Sequence, residues 1–393
     1  MTALAIAFWS LLGVVLLTYV GYPAVIGLLA RLLGRPLRPS RPVPRSVSFV
    51  LCAHNEAGRI GNRLREICDL IDATGIDGEV ILVSDGSTDA TLTVARELDR
   101  PYLRIVDLPQ KVGKAAALSQ GAALARHEIL VFADVRQTWP ANSLEFLLAP
   151  FADPAVGAVT GDLVLESGPG VLAGVGLYWR FEKWLRRQEG KYWSVVGATG
   201  AIAAVRRDLF RPIPDGTLLD DVYWPMQVAL RGYRVWHEQR ANAFDRLPAR
   251  AADEFRRKVR TLSGNFQLLT LLPQVLLPWR NPIWFQFVGH KLLRLVVPWC
   301  LLAMLGLSAV LAWFADGWLY PAVLAAQVVG YAVAAAGLHP AVAARSRLAS
   351  AGASFLVLNA AAWVAFWVWA TGRAGRSWTK TVYEKPVGVG SPS

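Results

Sequence analysis

The chain has 393 residues, of which 54% are hydrophobic and only 18% charged, the proportions of a membrane protein rather than a soluble one. Its formal charge of +12 comes from 41 Lys+Arg against 29 Asp+Glu, which admits nucleic acid, anionic lipid or a phosphate-bearing substrate as a partner. The three cysteines, Cys52, Cys68 and Cys300, are widely spaced and lack metal-ligand spacing, so no disulfide framework is implied and each reads as a small buried hydrophobe.

Leu4 to Leu33 is almost uninterrupted apolar sequence, long enough to cross a hydrocarbon core of about 30 Å. It has no basic start and no small-residue cleavage site, so residues 1–35 are expected as a retained transmembrane anchor rather than a signal peptide. Pro23, after Gly21 and Tyr22, is expected to kink it. Arg31, Arg35, Arg38, Arg41 and Arg45 follow, and by the positive-inside rule they place the next segment in the cytoplasm. The basic residues thus flank apolar segments and carry no reader motif, which argues against nucleic acid as the partner.

From about Ser46 to Arg250 short β-branched runs alternate with helix-like stretches. Val47 to Ala53 predicts a buried strand and Glu56 to Ile71 an amphipathic helix. Glu79 to Ser84 and Arg104 to Asp107 are further strands, with a helix over Thr88 to Leu98 between them. Lys114 to Ala125 predicts a helix and Glu128 to Ala133 another buried strand. This βαβα order with near-continuous apolar strands predicts an α/β fold whose mainly parallel sheet is covered on both faces. In such sheets the ligand lies beyond the carboxyl ends of the strands.

Those ends hold the candidate residues. His54-Asn55-Glu56 follows the first strand and Asp85-Gly86-Ser87-Thr88-Asp89 the second, where a carboxylate is placed to bond a ribose or a base. Ordinary turn and capping chemistry accounts equally for either motif alone. Gly113-Lys114 fails the phosphate-loop pattern, with Leu108 and Ala115 at the wrong places, yet Lys114 can reach a phosphate as a point charge at a helix start. Asp134 follows a buried strand, where an acid can hold a divalent cation on a diphosphate. Asp220-Asp221 precedes a helix predicted over Val222 to Leu230, one acid as cap or one as general base.

Glu254 to Arg260 carries Arg256, Arg257 and Arg260 at helical spacing. This is a basic amphipathic helix for anionic lipid, an arginine clamp for a departing diphosphate, or both, and residues 251–290 are expected as an interfacial region. The remaining 291–393 hold three candidate spans, Leu292 to Phe314, Trp318 to Leu338 and Ala351 to Thr371. Trp279, Trp284, Trp299, Trp313 and Trp318 lie near their ends as an aromatic belt. Arg345 and Arg347 suggest a cytoplasmic loop. The count of spans then puts the C-terminus outside, whereas Arg373, Arg376 and Lys380 favour the inside; a re-entrant segment or an exceptional tail would reconcile the two.

Together these motifs resemble the family-two glycosyltransferases, in the membrane-bound branch that includes cellulose, chitin, hyaluronan and poly-N-acetylglucosamine synthases. The resemblance runs from Pro44 to about Leu272 and rests on motif order: Asn55-Glu56, then Asp85 to Asp89, Gly113-Lys114, Asp134, Asp220-Asp221 and Gly232-Tyr233-Arg234. It implies a GT-A, Rossmann-like catalytic domain over 44–250, with transmembrane helices at both ends. The reaction implied is inverting transfer from a nucleotide sugar, UDP-sugar favoured, to a glycan or lipid-linked acceptor at the inner membrane. It implies Asp221, with Asp220, as catalytic. Asn55, Glu56, Asp85, Lys114, Asp134 and Arg136 are implied for the donor, and Arg256, Arg257 and Arg260 for the diphosphate and acceptor.

The metal motif of the family, Asp-x-Asp, corresponds to Asp134-Val135-Arg136. Asp134 is thereby the implied ligand of Mg2+ or Mn2+, with Arg136 in place of the second acid. The Gln-x-x-Arg-Trp motif of the synthases falls on Arg257 to Thr261, retaining only Arg260. A single-sugar transferase acting on a lipid carrier is therefore the close alternative to a polymerase. A non-catalytic membrane subunit is the more distant one, and retention of Asp85, Asp134 and Asp221 argues against it.

Overall fold

The computed structural model describes residues 1–166, 173–246 and 251–373. The expected boundary at 250 and the tail cations Arg376 and Lys380 lie outside the described residues. Seven strands, among the described residues, form one sheet: β1 (Ser46–Ala53), β2 (Asp77–Asp85), β3 (Leu103–Leu108), β4 (Ile129–Phe132), β5 (Val156–Glu166), β6 (Ala203–Arg206) and β7 (Arg234–Arg246). Their order across the sheet is β3-β2-β1-β4-β6-β5-β7. The first four are mutually parallel, β6 runs antiparallel to both its neighbours, and β7 returns parallel to β5.

The apolar runs of β1, β2 and β4 are buried because helices cover both faces of the sheet. Val47, Phe49, Val50, Leu51, Val80 to Val83 and Ile129 to Val131 are all sealed from solvent. Each such side chain contributes roughly 1.5–3 kcal/mol relative to exposure. One face packs on the helices Lys114–Leu124 and Asp220–Leu230, the other on Ala57–Thr74 and Ser143–Leu148. The helix foreseen from Glu56 begins at Ala57, and Gly75, in the left-handed region, ends it.

Four helices, among the described residues, are long and apolar enough to cross a membrane: Thr2–Leu32, Trp284–Phe314, Leu319–Ala336 and Arg347–Ala370. The disturbance expected at Pro23 takes the form of a π-helical turn, Leu17–Gly21, just before it. The second span starts at Trp284, eight residues ahead of the expected Leu292. The polar residues His290 and Lys291 interrupt the apolar run ahead of Leu292, and Arg294 follows inside it. Glutamates on the Ala173–Tyr192 helix compensate them: His290 lies between Glu189 (2.8 Å) and Glu182, and Arg294 pairs with Glu182 at 2.8 Å. Tyr22 of the first span donates to the same Glu189 at 2.5 Å. Three elements therefore meet on one buried carboxylate, which fixes the soluble domain against the spans. Trp279, Trp313 and Trp318 are exposed, as an interfacial belt requires, whereas Trp299 packs inward against Trp363, Phe366 and Trp367.

Candidate active site

The carboxyl ends of β1, β2 and β4 lie side by side, so the segments after them share one rim. Asn55 adopts φ 56°, a left-handed conformation that asparagine tolerates. From there its Oδ1 accepts the backbone N–H of Thr88 (2.7 Å) and Asp89 (3.3 Å). Asp89 in turn accepts from the N–H of Ala57 and Thr91. The Glu56 N–H donates to Thr91 Oγ1, and its carboxylate pairs with Arg59 at 3.2 Å. The two motifs that lie about thirty residues apart in sequence are thus one interlocked corner.

Asp85 is 3% exposed. Its carboxylate accepts the N–H of Val112 at 2.6 Å and of Gly113 at 3.0 Å, and its carbonyl oxygen lies 2.7 Å from His54 Nδ1. Gly86 is required beside it, since at φ 59° an added Cβ would sit 2.4 Å from the Lys111 nitrogen. Asp85 therefore holds the loop that delivers Lys114 to the first turn of the Lys114–Leu124 helix.

Lys114 Nζ lies 2.7 Å from Asp134 Oδ1 and 3.5 Å from Asp220 Oδ2. Burial opposes its charge, yet Asp134 and Asp220 hold the ammonium well above the ordinary lysine range. Asp220 and Asp221 open the Asp220–Leu230 helix, where the positive end of the helix dipole favours acids. The carbonyl oxygen of Asp221 accepts the N–H of Ala198 at 2.7 Å, which fastens that corner to the Gly197–Gly200 loop. Burial raises the Asp221 carboxyl to about 6, the adjacent Asp220 adds to the rise, and Lys114 opposes it. The structure brings Lys114, Asp134, Asp220 and Asp221 together from three sequence-distant segments.

Arg136 does not turn into that cluster. It makes a two-pronged pair with Asp245 of β7, Nε to Oδ1 at 2.9 Å and Nη2 to Oδ2 at 2.6 Å, and Gln137 donates to the same carboxylate. The guanidinium that replaces the second acid is therefore compensated. Beside Asp134, Gly200 leaves room: an added Cβ would stand 3.3 Å from Asp134 Oδ2 and 3.0 Å from Lys114 Nζ. A hard cation held by one or two carboxylates and completed by substrate phosphate oxygens suits such a site. Among the described residues no group of three His, Cys, Asp or Glu could form a protein cage for a metal.

Arg256, Arg257 and Arg260 lie on the Ala251–Leu271 helix, which packs under the loop that precedes Asp220: Gly264 faces Leu218 and Leu219, and Gln267 accepts the Leu218 N–H. Arg257 pairs with Glu254 at 2.7 Å, and Arg256 is exposed. Sequence reasoning missed Arg63, Thr199-Gly200 and Asp245. Arg63 is buried, pairs with Glu66 and donates from Nε to the Asp134 carbonyl oxygen at 3.1 Å, so it steadies the acid's backbone. Its position on an amphipathic helix looked like any surface charge. Gly197-Ala198-Thr199-Gly200, a run of small residues, was the legible signal for the other loop.

Residues 48–213 match the model of Glycosyl transferase family 2. Among curated proteins it is similar to poly-beta-1,6-N-acetyl-D-glucosamine synthase of Staphylococcus aureus (strain MSSA476), 24% identical over 238 residues, covering 57% of this chain and 55% of the relative. The synthase of Staphylococcus epidermidis matches at 21% identity over 230 residues, with the same coverage. The chain thus spans about half the length of the curated relatives it matches. Among solved structures it shares the fold of the mannosyltransferase PcManGT from Pyrobaculum calidifontis in complex with GDP-Man and Mn2+. That similarity has TM-score 0.69 and 23% identity, over 93% of this chain and 99% of the other.

Proposed function

We propose that the protein is an inverting glycosyltransferase that moves a sugar from a nucleoside-diphosphate donor, a UDP-sugar favoured, to a saccharide or lipid-linked acceptor at the cytoplasmic face of the inner membrane. The observation that carries this reading is the half-buried cluster of Asp221, Asp220, Lys114 and Asp134 at the carboxyl edge of the sheet. A general base works best with a pKa near the operating pH, and Asp221, raised to about 6, meets that condition.

Asp221 takes the proton of an acceptor hydroxyl. The freed oxygen attacks the anomeric carbon opposite the leaving diphosphate, whose C–O bond breaks, so an α-linked donor gives a β-linked product. Lys114 supplies a fixed positive charge at the diphosphate, and Arg256, Arg257 and Arg260 add to it from the neighbouring helix. Asn55, Glu56, Asp85 and Arg136 shape the rim over which the nucleotide lies. Mg2+ or Mn2+ held by Asp134 and the donor's phosphate oxygens would act as a Lewis acid on the departing diphosphate. The family match and the GDP-Man and Mn2+ of the neighbouring structure support the donor class and the cation. The arginines that follow the first span support the sidedness.

A single-sugar transferase acting on a lipid carrier is the second reading, favoured by Thr261 at the position where the polymerising synthases hold Trp. The test is nucleoside diphosphate release by the purified full chain across UDP- and GDP-sugars, with and without Mg2+ or Mn2+, in the presence of membrane lipid extract. Release with one donor supports the reading, and product length separates its two forms. No release and no nucleotide binding with any donor overturns it.

A further inference from the structure

A basic site lies at the opposite edge of the sheet from the cluster, where the chain leaves the first span. A cavity of about 350 Å³ is lined by Arg35, Pro36, Arg38, Asp153, Trp193 and Arg234, with Ala155 at its side, a volume in the range of small-ligand sites. Three guanidinium groups face one carboxylate, a formal balance of +2 (three cations less one anion).

Its backbone is fixed. Arg35 N–H donates to the Lys191 carbonyl at 2.8 Å, and the Arg35 carbonyl accepts Arg234 Nη2 at 2.8 Å. Arg38 N–H donates to Asp153 Oδ2 at 2.9 Å, and Ser40 and Arg41 both donate to the Ala152 carbonyl. Arg234 is fully buried, directed at the carbonyls of Trp193 and Gly190, 4.0 Å from Asp153 and over the ring of Trp193. Burial lowers it only to about 10, so it stays charged at neutral pH. The Arg35 guanidinium rests 4.6 Å from the centre of the Trp193 ring, and both Arg35 and Arg38 are exposed.

We propose that this cavity binds the phosphate of an anionic membrane phospholipid, gripped by Arg35 and Arg38 with Arg234 and Trp193 as its floor. The site begins three residues past Leu32, the last residue of the span, the depth at which head groups lie. Guanidinium matches phosphate in charge and in its paired donors, and basic pockets beside spans recognise lipid head groups. A bound head group clamps the 35–41 segment and the end of the Ala173–Tyr192 helix together, beneath a domain that must keep its pose against the bilayer.

The test is retention of phosphatidylglycerol against phosphatidylcholine by the detergent-purified full chain, read by native mass spectrometry. The variants are R35Q/R38Q and, as a charge-matched control, R31Q/R41Q, whose side chains do not line the cavity. The backbone bonds of Arg35 and Arg38 survive these changes, so the fold is kept. Preferential retention that drops about thirty-fold in R35Q/R38Q and stays in R31Q/R41Q is the expected result, from about fivefold per arginine. Equal loss in both variants reduces the effect to diffuse surface charge and overturns the site. Displacement of the lipid by equimolar glycerol phosphate assigns the cavity to a soluble phosphoester and overturns the lipid.

Discussion

In the half of the sheet built on β1 to β4, Asn55, Asp85 and Asp89 direct their hydrogen bonds at neighbouring loops. In the half that follows β4, Asp220 shares Lys114 with Asp134, and burial drives the adjacent Asp221 carboxyl upward. The first set is satisfied and makes shape; the second is held against its preference, the condition that the proposed base requires. A motif residue can therefore be indispensable in either half for different physical reasons, and the two kinds of loss are separable by experiment.

The largest effect is expected at Asp221. Asp221→Asn keeps the size of the side chain and removes the base, so kcat should fall by roughly 10²–10⁴ while donor affinity, measured calorimetrically, stays within about twofold. Asp85→Ala should act in the opposite manner. It strands the N–H groups of Val112 and Gly113, costing about 2–4 kcal/mol in denaturant unfolding. Donor KM should rise because Lys114 is no longer delivered. If Asp85→Ala leaves stability unchanged and abolishes only turnover, the contrast between the halves fails.

A smaller effect is expected where the halves touch. Arg136→Ala leaves the buried Asp245 carboxylate without its guanidinium counter-charge and should destabilise by about 1–3 kcal/mol, with Arg136→Ala/Asp245→Ala losing less than the sum of the single changes. Additive losses would show that the pair does not join β7 to the rim. The smallest effect is a shift of pH dependence: Lys114 lowers the proton affinity of Asp221, so Lys114→Met should move the acid limb of kcat/KM to higher pH. An unmoved limb would separate the lysine from the base.

The legibility of the sequence follows the same division. The β1 to β4 half was readable because its strands are continuous apolar runs ending in Asn55, Asp85 and Asp134, and local pattern decides such elements. The alternation does not reveal that β6 turns antiparallel between β4 and β5, because Ala203–Arg206 is four residues long and its pairing is set by distant partners. Arg136 stood out as a cation in a metal motif, and its compensation by Asp245, 109 residues away, is a property of the folded chain alone. The start of the second span was hidden for a related reason, since the glutamates that pair with His290 lie on another helix.

The central claim is that Asp221 is the base and that its surroundings set its pKa. The direct measurement is kcat/KM against pH, from about 4.5 to about 8, for the full chain with its active donor, beside the residual rate of Asp221→Asn. The account predicts an acid limb in the unaltered enzyme with its midpoint near 6, activity falling as Asp221 gains its proton, and no such limb in the variant. The same limb persisting in Asp221→Asn would assign the titrating base to another group and contradict the account.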